Sequence, residues 1–408
     1  MNLWHGAIRS GKTFASILAF LAFVFLAPRE GEIVIVGKNR DSIFRNFFQP
    51  IENAPALAQF KGVVSYRNGA ATGYILGRLV HVVGANDARS ESKIRGMTVA
   101  AAYVDEVTVI PHEFFMQLLG RMSVTGARLF GTTNPDSPAH WLKRDFLDKL
   151  KGLPHWRAFH FVMSDNPSLT PDYVEARRRE YTGLWRKRFI EGRWVAAEGA
   201  IFDMFDSSMH VVPWKSLPPM QRLLGVGVDF GTNNPSTGVL LGQSREKVGN
   251  RYRSRLYLLD EWGYDSKEST AGTLSPSQQA GLFKSWLHDT HLPYETALRP
   301  EFVIVDPAAP HFQKELNLEG ISTSGGLNDV SWGLSMMASL FSEQQLVVSD
   351  RCDRLIKELP GYAWDPKKAK EGLDVPVKVA DHWIDASRYV VATTENLWRP
   401  GLDWQLAA

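Results

Sequence analysis

Two kinds of apolar run alternate along the first half of the chain. Short β-branched runs, Glu32-Ile33-Val34-Ile35-Val36-Gly37 and Val80-His81-Val82-Val83-Gly84, predict strands buried on both faces, as in a parallel sheet. Ala100-Ala101-Ala102-Tyr103-Val104 predicts another, ending in the acids Asp105 and Glu106. Arg128-Leu129-Phe130-Gly131-Thr132-Thr133-Asn134-Pro135 reads as a strand running into a polar turn. At the start, the apolar run Leu3-Trp4-His5 is separated by a glycine-containing turn from a helix-length apolar stretch over 14–27.

The second half repeats a different pattern. Leu224-Gly225-Val226-Gly227-Val228-Asp229-Phe230-Gly231 predicts a core strand with an acid at its centre. Phe302-Val303-Ile304-Val305-Asp306-Pro307 repeats it. Burying a lone aspartate is costly unless it is paired or binds metal. Asp381-His382-Trp383-Ile384-Asp385 puts Asp381, His382 and Asp385 on one helical face by i, i+4 spacing. Asp260-Glu261, after Leu256-Tyr257-Leu258-Leu259, is a weaker candidate, since strand-end acids are common. Between the halves, residues 172–194 interleave Tyr173, Tyr181, Trp185 and Trp194 with arginines and lysines at helical spacing. That pattern reads either as one helix tracking a phosphate backbone or as an amphipathic helix with core aromatics. The polar tip around Gly249-Asn250, with Lys247, Arg251 and Arg253, reads as a hairpin that touches DNA or is merely solvated. Turn-rich sequence after Glu198 places the expected boundaries at 1–160, 161–215 and 216–408.

Composition narrows this picture little. The 408 residues are 44% apolar and 22% charged, ordinary for a globular protein and long enough for two cores. One cysteine, Cys352, excludes an internal disulfide framework. Lys12 and the following apolar run imitate a signal peptide, but the run is too short to span a bilayer. Net charge is more informative. Residues 1–205 carry 26 Lys and Arg against 19 Asp and Glu, and residues 206–408 carry 20 against 25. A basic half suits polyanions, and an acidic half suits carboxylates gathered for metal.

The turn at the start carries the sharpest chemistry. Gly6-Ala7-Ile8-Arg9-Ser10-Gly11-Lys12-Thr13 is a complete GxxxxGK[ST] phosphate-binding loop, between a predicted strand and a predicted helix. Its glycines let backbone N–H groups curl round phosphates, Lys12 reaches the β/γ-phosphates, and Thr13 offers a hydroxyl to Mg²⁺. In such an ATPase the strand ending in Asp105 lies beside the loop, with Asp105 serving the metal and Glu106 the attacking water. Thr132, Thr133 or Asn134 is placed to sense the γ-phosphate, and Arg9, Arg121 or Arg128 to act as an arginine finger, Arg121 being favoured for a finger in trans. Asp229, Asp306 and Asp385, with Asp381 and His382 nearby, suit a two-metal nuclease centre.

In this order the motifs resemble the large terminase subunit of tailed bacteriophages. The resemblance spans nearly the whole chain: residues 6–13, 103–106 and 131–135, the stretch WRKRFIEGRWVAAEG at 185–199, then 228–231, 305–307 and the closing DHWIDASRY. It implies an α/β chain, with an N-terminal P-loop NTPase domain on a mostly parallel sheet and a C-terminal ribonuclease-H-like α/β nuclease domain. It implies ATP and Mg²⁺ as cofactors, with Mn²⁺ able to replace Mg²⁺ at the nuclease site. It also implies double-stranded DNA as substrate, a small terminase subunit, a portal on a procapsid, a ring of five copies and the cytoplasm of a bacterial host. Members carry a segment upstream of the loop that grips adenine. Five residues precede the loop here, which leaves open a different start, a cut chain or adenine held by other residues. A reading from another class is a nucleotide-dependent DNA-binding or assembly protein with an inactive nuclease-like domain.

Overall fold

The computed structural model describes residues 1–402, apart from 232–233, 249–250, 291, 295–297 and 380. The chain forms two compact units. The first comprises Met1–Val174, Gly183–Ala197 and Lys367–Asp374, and the second Glu175–Thr182, Glu198–Pro366 and Val375–Ala408. The stretch 161–215 is thus shared between the two rather than forming a body of its own.

The first unit is built on eight strands: β1 Asn2–Gly6, β2 Glu32–Gly37, β3 Val64–Ser65, β4 Thr72–Ile75, β5 Arg78–Gly84, β6 Val99–Val104, β7 Arg128–Thr133 and β8 Arg157–Phe161. Their order in the sheet is β3-β4-β5-β2-β6-β7-β1-β8. All pairs from β5 to β8 are parallel, and β3 and β4 close one edge antiparallel. The unbroken apolar runs are buried on both faces, as their lack of alternation predicts. Helix Lys12–Leu26 covers one face, packing Ile17, Phe20, Leu21 and Val24 on Trp4, Tyr103 and Phe130. Helix His112–Arg121 covers the other with Phe114, Phe115 and Leu118. Lys12–Leu26 is buried on one side only, since Phe14, Leu18, Phe25 and Leu26 are exposed.

The predicted single helix over 172–194 is broken. Helix Pro171–Glu180 stops, Gly183 takes a left-handed φ of 51°, and a short turn leads into a π-helical Arg186–Ile190. Tyr181 and Trp185 are buried together with Arg188, whereas Arg178, Arg179, Arg186, Lys187 and Arg193 are exposed, so these aromatics are interior and most of the basic residues are solvated.

The second unit has seven strands: β9 Val211–Val212, β10 Met220–Asp229, β11 Ser236–Val248, β12 Arg251–Tyr264, β13 Val303–Val305, β14 Thr323–Gly325 and β15 Leu346–Ser349. Their order is β14-β13-β10-β11-β12-β15-β9, with β10, β11 and β12 an antiparallel meander and the remaining neighbours parallel. This is a ribonuclease-H-like α/β sheet. Asp229 ends β10 instead of sitting at its centre, and Asp306 directly follows the neighbouring β13. Helix His382–Thr393 lies across β10 and β11. A Cβ on Gly227 would sit 1.9 Å from the Ala386 carbonyl, so only glycine lets helix and strand come this close. The hairpin tip at Gly249 and Asn250 lies outside the described residues. Among the described residues no helix is long and apolar enough to cross a membrane.

Candidate functional site

In the first unit the carboxyl ends of β1, β6 and β7 open into one cleft of about 540 Å³. Crevices at strand carboxyl ends are where open parallel sheets hold ligands. Gly6 closes β1 with a φ of 139°, and a Cβ there would collide with the Phe161 carbonyl at 1.9 Å. Arg9, Ser10, Gly11, Lys12 and Thr13 line the cleft, with Arg9 and Gly11 in left-handed conformations that turn the loop. Ser10 Oγ donates to Ala7 O at 2.7 Å. The resemblance stretch at 185–199 braces the loop from behind, where Ile8 N donates to Phe189 O at 2.8 Å.

The strand ending in Asp105 lies beside the loop as expected, and with β7 between β6 and β1 it reaches the loop through its carboxyl end. Lys12 Nζ donates to Ala7 O at 3.0 Å and to Asn134 Oδ1 at 2.6 Å. Asn134 Nδ2 donates in turn to Glu106 Oε1 at 2.6 Å. Asp105 accepts from Asn46 Nδ2 at 2.7 Å and from Thr132 Oγ1 at 3.1 Å. Burial raises the Asp105 carboxyl above its usual range and lowers the Lys12 ammonium. Glu106 holds a left-handed φ of 50°, a strained conformation for a non-glycine residue at the mouth of a cleft.

Thr133 does not reach this cleft. Strand alternation turns Thr132 toward Asp105 and Thr133 away, onto Thr108 Oγ1 at 2.7 Å. Arg121, at the end of its helix, and Arg128, over the Phe23 ring at 5.2 Å, are absent from the cleft lining, whereas Arg9 is present. The sequence reading missed Asn46 and Arg45, which line the cleft. Their signal was a polar pair set inside the aromatic run Phe44-Arg45-Asn46-Phe47-Phe48.

In the second unit Asp229, Asp306, Asp381, His382 and Asp385 line a single cleft of about 860 Å³. His382 Nδ1 lies 2.9 Å from Asp229 Oδ2. Asp385 is held on both oxygens, by Arg388 Nε at 3.0 Å and Lys378 Nζ at 3.0 Å. Lys378 also lies 3.0 Å from Asp381 Oδ2. Asp306 Oδ1 accepts from Ala308 N at 2.9 Å. Burial raises the Asp229 carboxyl, the charges of Asp385 and Asp306 add to this, and His382 opposes it. His382 is raised by its bond to Asp229. The expected metal set is thus gathered in one cleft. Among the described residues, however, no three His, Cys, Asp or Glu side chains form a ready metal cluster. The donor chemistry, hard carboxylate oxygens from three elements, suits Mg²⁺ or Mn²⁺.

Lys378, Arg388 and Glu358 were not foreseen. Glu358 accepts from Trp383 N at 3.0 Å and Ile384 N at 3.1 Å, capping the helix that carries Asp385. Asp260 is spent on Thr290 at 3.2 Å and Arg351 at 3.5 Å. Glu261 is spent on Arg354 N and Leu355 N at 2.7 and 3.1 Å. That pair is structural.

A phosphate-loop NTPase unit and a ribonuclease-H-like unit in one chain define a two-part α/β protein. The family model "Terminase large subunit, T4likevirus-type, N-terminal" matches residues 3–209. The solved large terminase of a thermophilic bacteriophage is 32% identical over 96% of this chain and 93% of its own, with a TM-score of 0.81. The ADP complex of that same phage terminase gives a TM-score of 0.81 at 31% identity, covering 96% of this chain and 93% of that one. The terminase large subunit of Escherichia phage T5 is 27% identical over 248 residues, 58% of this chain. The match spans about half, 51%, of that T5 protein. The chain belongs to the terminase large-subunit family.

Proposed function

We propose that this chain hydrolyses ATP to drive double-stranded DNA into a viral procapsid and cuts concatemeric DNA with its second unit. The observation that carries the reading is the linked set Lys12–Asn134–Glu106 beside Asp105 in the phosphate-loop cleft. Lys12 meets the charge of the β/γ-phosphates, and Glu106 takes a proton from the attacking water. Asn134, bonded to both, ties the base to the phosphate end. Bound Mg²⁺ would neutralise phosphate charge, and Thr13 and Asp105 are the oxygen donors that would hold it. Arg121 stands outside its own cleft, as a finger acting on a neighbouring copy requires. The large terminase of the thermophilic phage has been solved with ADP and with ATP-gamma-S, which supports nucleotide as the ligand of the matching cleft.

In the second unit Asp229, Asp306 and Asp385 would hold the Mg²⁺ or Mn²⁺ that activates water and steadies the leaving oxygen in phosphodiester cleavage. The pair His382–Asp229 orients one carboxylate, and Glu358 fixes the helix bearing another. The resemblance further supplies a small terminase subunit, a portal, a ring of five copies and the bacterial cytoplasm as setting. One observation favours the second reading, a DNA-binding or assembly protein with a silent nuclease fold: both oxygens of Asp385 are already taken by cations.

Cleavage of supercoiled plasmid with Mg²⁺ or Mn²⁺ separates the readings. The proposal expects metal-dependent cutting that Asp229→Ala abolishes while ATP hydrolysis is retained. Cutting that persists in the variant removes the acid cluster from the mechanism. No cutting by the unaltered chain, with ATP hydrolysis intact, favours the silent fold.

A further inference from the structure

The phosphate-loop cleft has two ends, and the reading above uses only one. β7 and β6 lie to one side of β1, and there Thr132, Asn134, Asp105 and Glu106 gather. β8 lies on the other side of β1, and the loop that follows it borders the cleft with Asn166 and Leu169. Asn166 Nδ2 donates to Arg9 O at 2.7 Å, and its Oδ1 accepts from Ser168 N at 3.1 Å. These bonds tie the loop to the phosphate-binding turn and set Leu169 beside it. Phe14, immediately after Thr13, lines the same cleft from the start of its helix and is 39% exposed.

A nucleotide whose γ-phosphate lies toward Asn134 and Glu106 runs back along residues 9–13 and carries its base away from β7. The lining residues that the phosphate end does not use include Phe14, an exposed aromatic ring directly after the phosphate loop, and Leu169, a half-buried leucine on the segment after β8. Both match the apolar face of a nucleobase and neither matches a phosphate. We infer that Phe14 and Leu169 form the base subsite of this cleft, held in place by Asn166, an inference that rests on the nucleotide-binding reading above. Both polar ends of the Asn166 side chain are committed to backbone groups, so the subsite takes the base by its face.

Calorimetric titration of the full chain with MgATP and with Mg-tripolyphosphate, which has the phosphates but no base, tests this. The unaltered chain is expected to bind ATP about tenfold tighter than tripolyphosphate, the size of one base-stacking contact. Phe14→Ala and Leu169→Ala should each remove most of that preference and leave tripolyphosphate affinity within about twofold. Phe14→Trp, which restores an aromatic face, should keep it. Equal affinity of the unaltered chain for both ligands overturns the subsite. So does an equal loss of both ligands in Leu169→Ala, whose side chain is outside the phosphate loop. Binding of neither ligand by the unaltered chain overturns the nucleotide reading itself.

Discussion

In the first unit the acids of the cleft are held by neutral donors, Asn46 and Thr132 on Asp105 and Asn134 on Glu106. In the second Asp385 is held by the cations Lys378 and Arg388, and Asp229 by the His382 ring. The distinction has a consequence for ligands. Burial raises Asp105, and its neutral donors Asn46 and Thr132, with the nearby Lys12 charge, oppose the rise without cancelling it. Such a site gains when a cation arrives. A carboxylate paired with an ammonium or guanidinium is already compensated, and a divalent ion has to compete for it. The first cleft is therefore built to receive charge and the second to exchange it.

Glu106→Gln is the largest break of this comparison. It keeps the Asn134 bond but removes the base, so ATP turnover should fall by about 10²–10⁴-fold with nucleotide affinity nearly unchanged. Phosphate release and calorimetry measure the two. Turnover within a few-fold of the unaltered chain would take the base role from Glu106. DNA cleavage, which the proposed function assigns to the other unit, should not change.

Lys378→Met tests the exchange side. Removing the ammonium 3.0 Å from both Asp381 and Asp385 should tighten Mn²⁺ binding by roughly tenfold, read by calorimetry without DNA. The analogous cation of the first unit, Lys12, contacts Ala7 O and Asn134 Oδ1, so Lys12→Met should leave the metal affinity of the second cleft unaltered. Unchanged or weaker Mn²⁺ binding in Lys378→Met would mean that Lys378 does not compete for the carboxylates.

How much of each cleft the sequence disclosed follows the range of the forces that build it. The phosphate loop is local: glycines, Lys12 and Thr13 act within eight residues of each other, and their spacing is readable. Acids closing apolar runs are also local, so Asp105, Asp229 and Asp306 stood out and the buried strands were legible from the runs, while the ribonuclease-H-like fold of the second unit was legible only through the ordered motifs and the resemblance they carry. The insertion of β7 between β6 and β1 was not, because strand order is fixed by pairing between distant segments. The choice of Thr132 over Thr133 depends on which face of β7 meets the cleft, a parity that the sequence leaves open. Lys378 acts from outside the helix that carries Asp385, so helical spacing gave no hint of it. Gly183 did mark the break in the basic stretch, but the aromatic periodicity around it masked that signal.

The smallest expected effect compares one buried titratable group from each unit, His140 and Glu261, which respond to pH in opposite directions. His140 Nδ1 accepts from Leu142 N at 3.1 Å, and Nε2 lies 3.2 Å from Thr108 O, which fits a neutral ring with its proton on Nε2. Burial pushes its pKa from 6.5 down to about 4. The folded form binds fewer protons in that window, so the stability His140 contributes is complete above about 6.5 and is lost as pH falls toward 4. Glu261 is the opposite case, with burial lifting its carboxyl from 4.5 to about 7 despite two backbone N–H donors. The folded form binds more protons in that window, and stability declines as pH rises through it. Acidification from about pH 7 to 5 should therefore weaken the contribution of His140 and strengthen that of Glu261, each on the order of 1 kcal/mol. Calorimetric unfolding of the full chain across this range, beside His140→Gln and Glu261→Gln, measures both. His140→Gln should flatten the loss on the acid side, and Glu261→Gln the loss on the alkaline side. Identical pH slopes in all three proteins would show that neither group titrates differently on folding, and the electrostatic contrast would then be confined to the clefts.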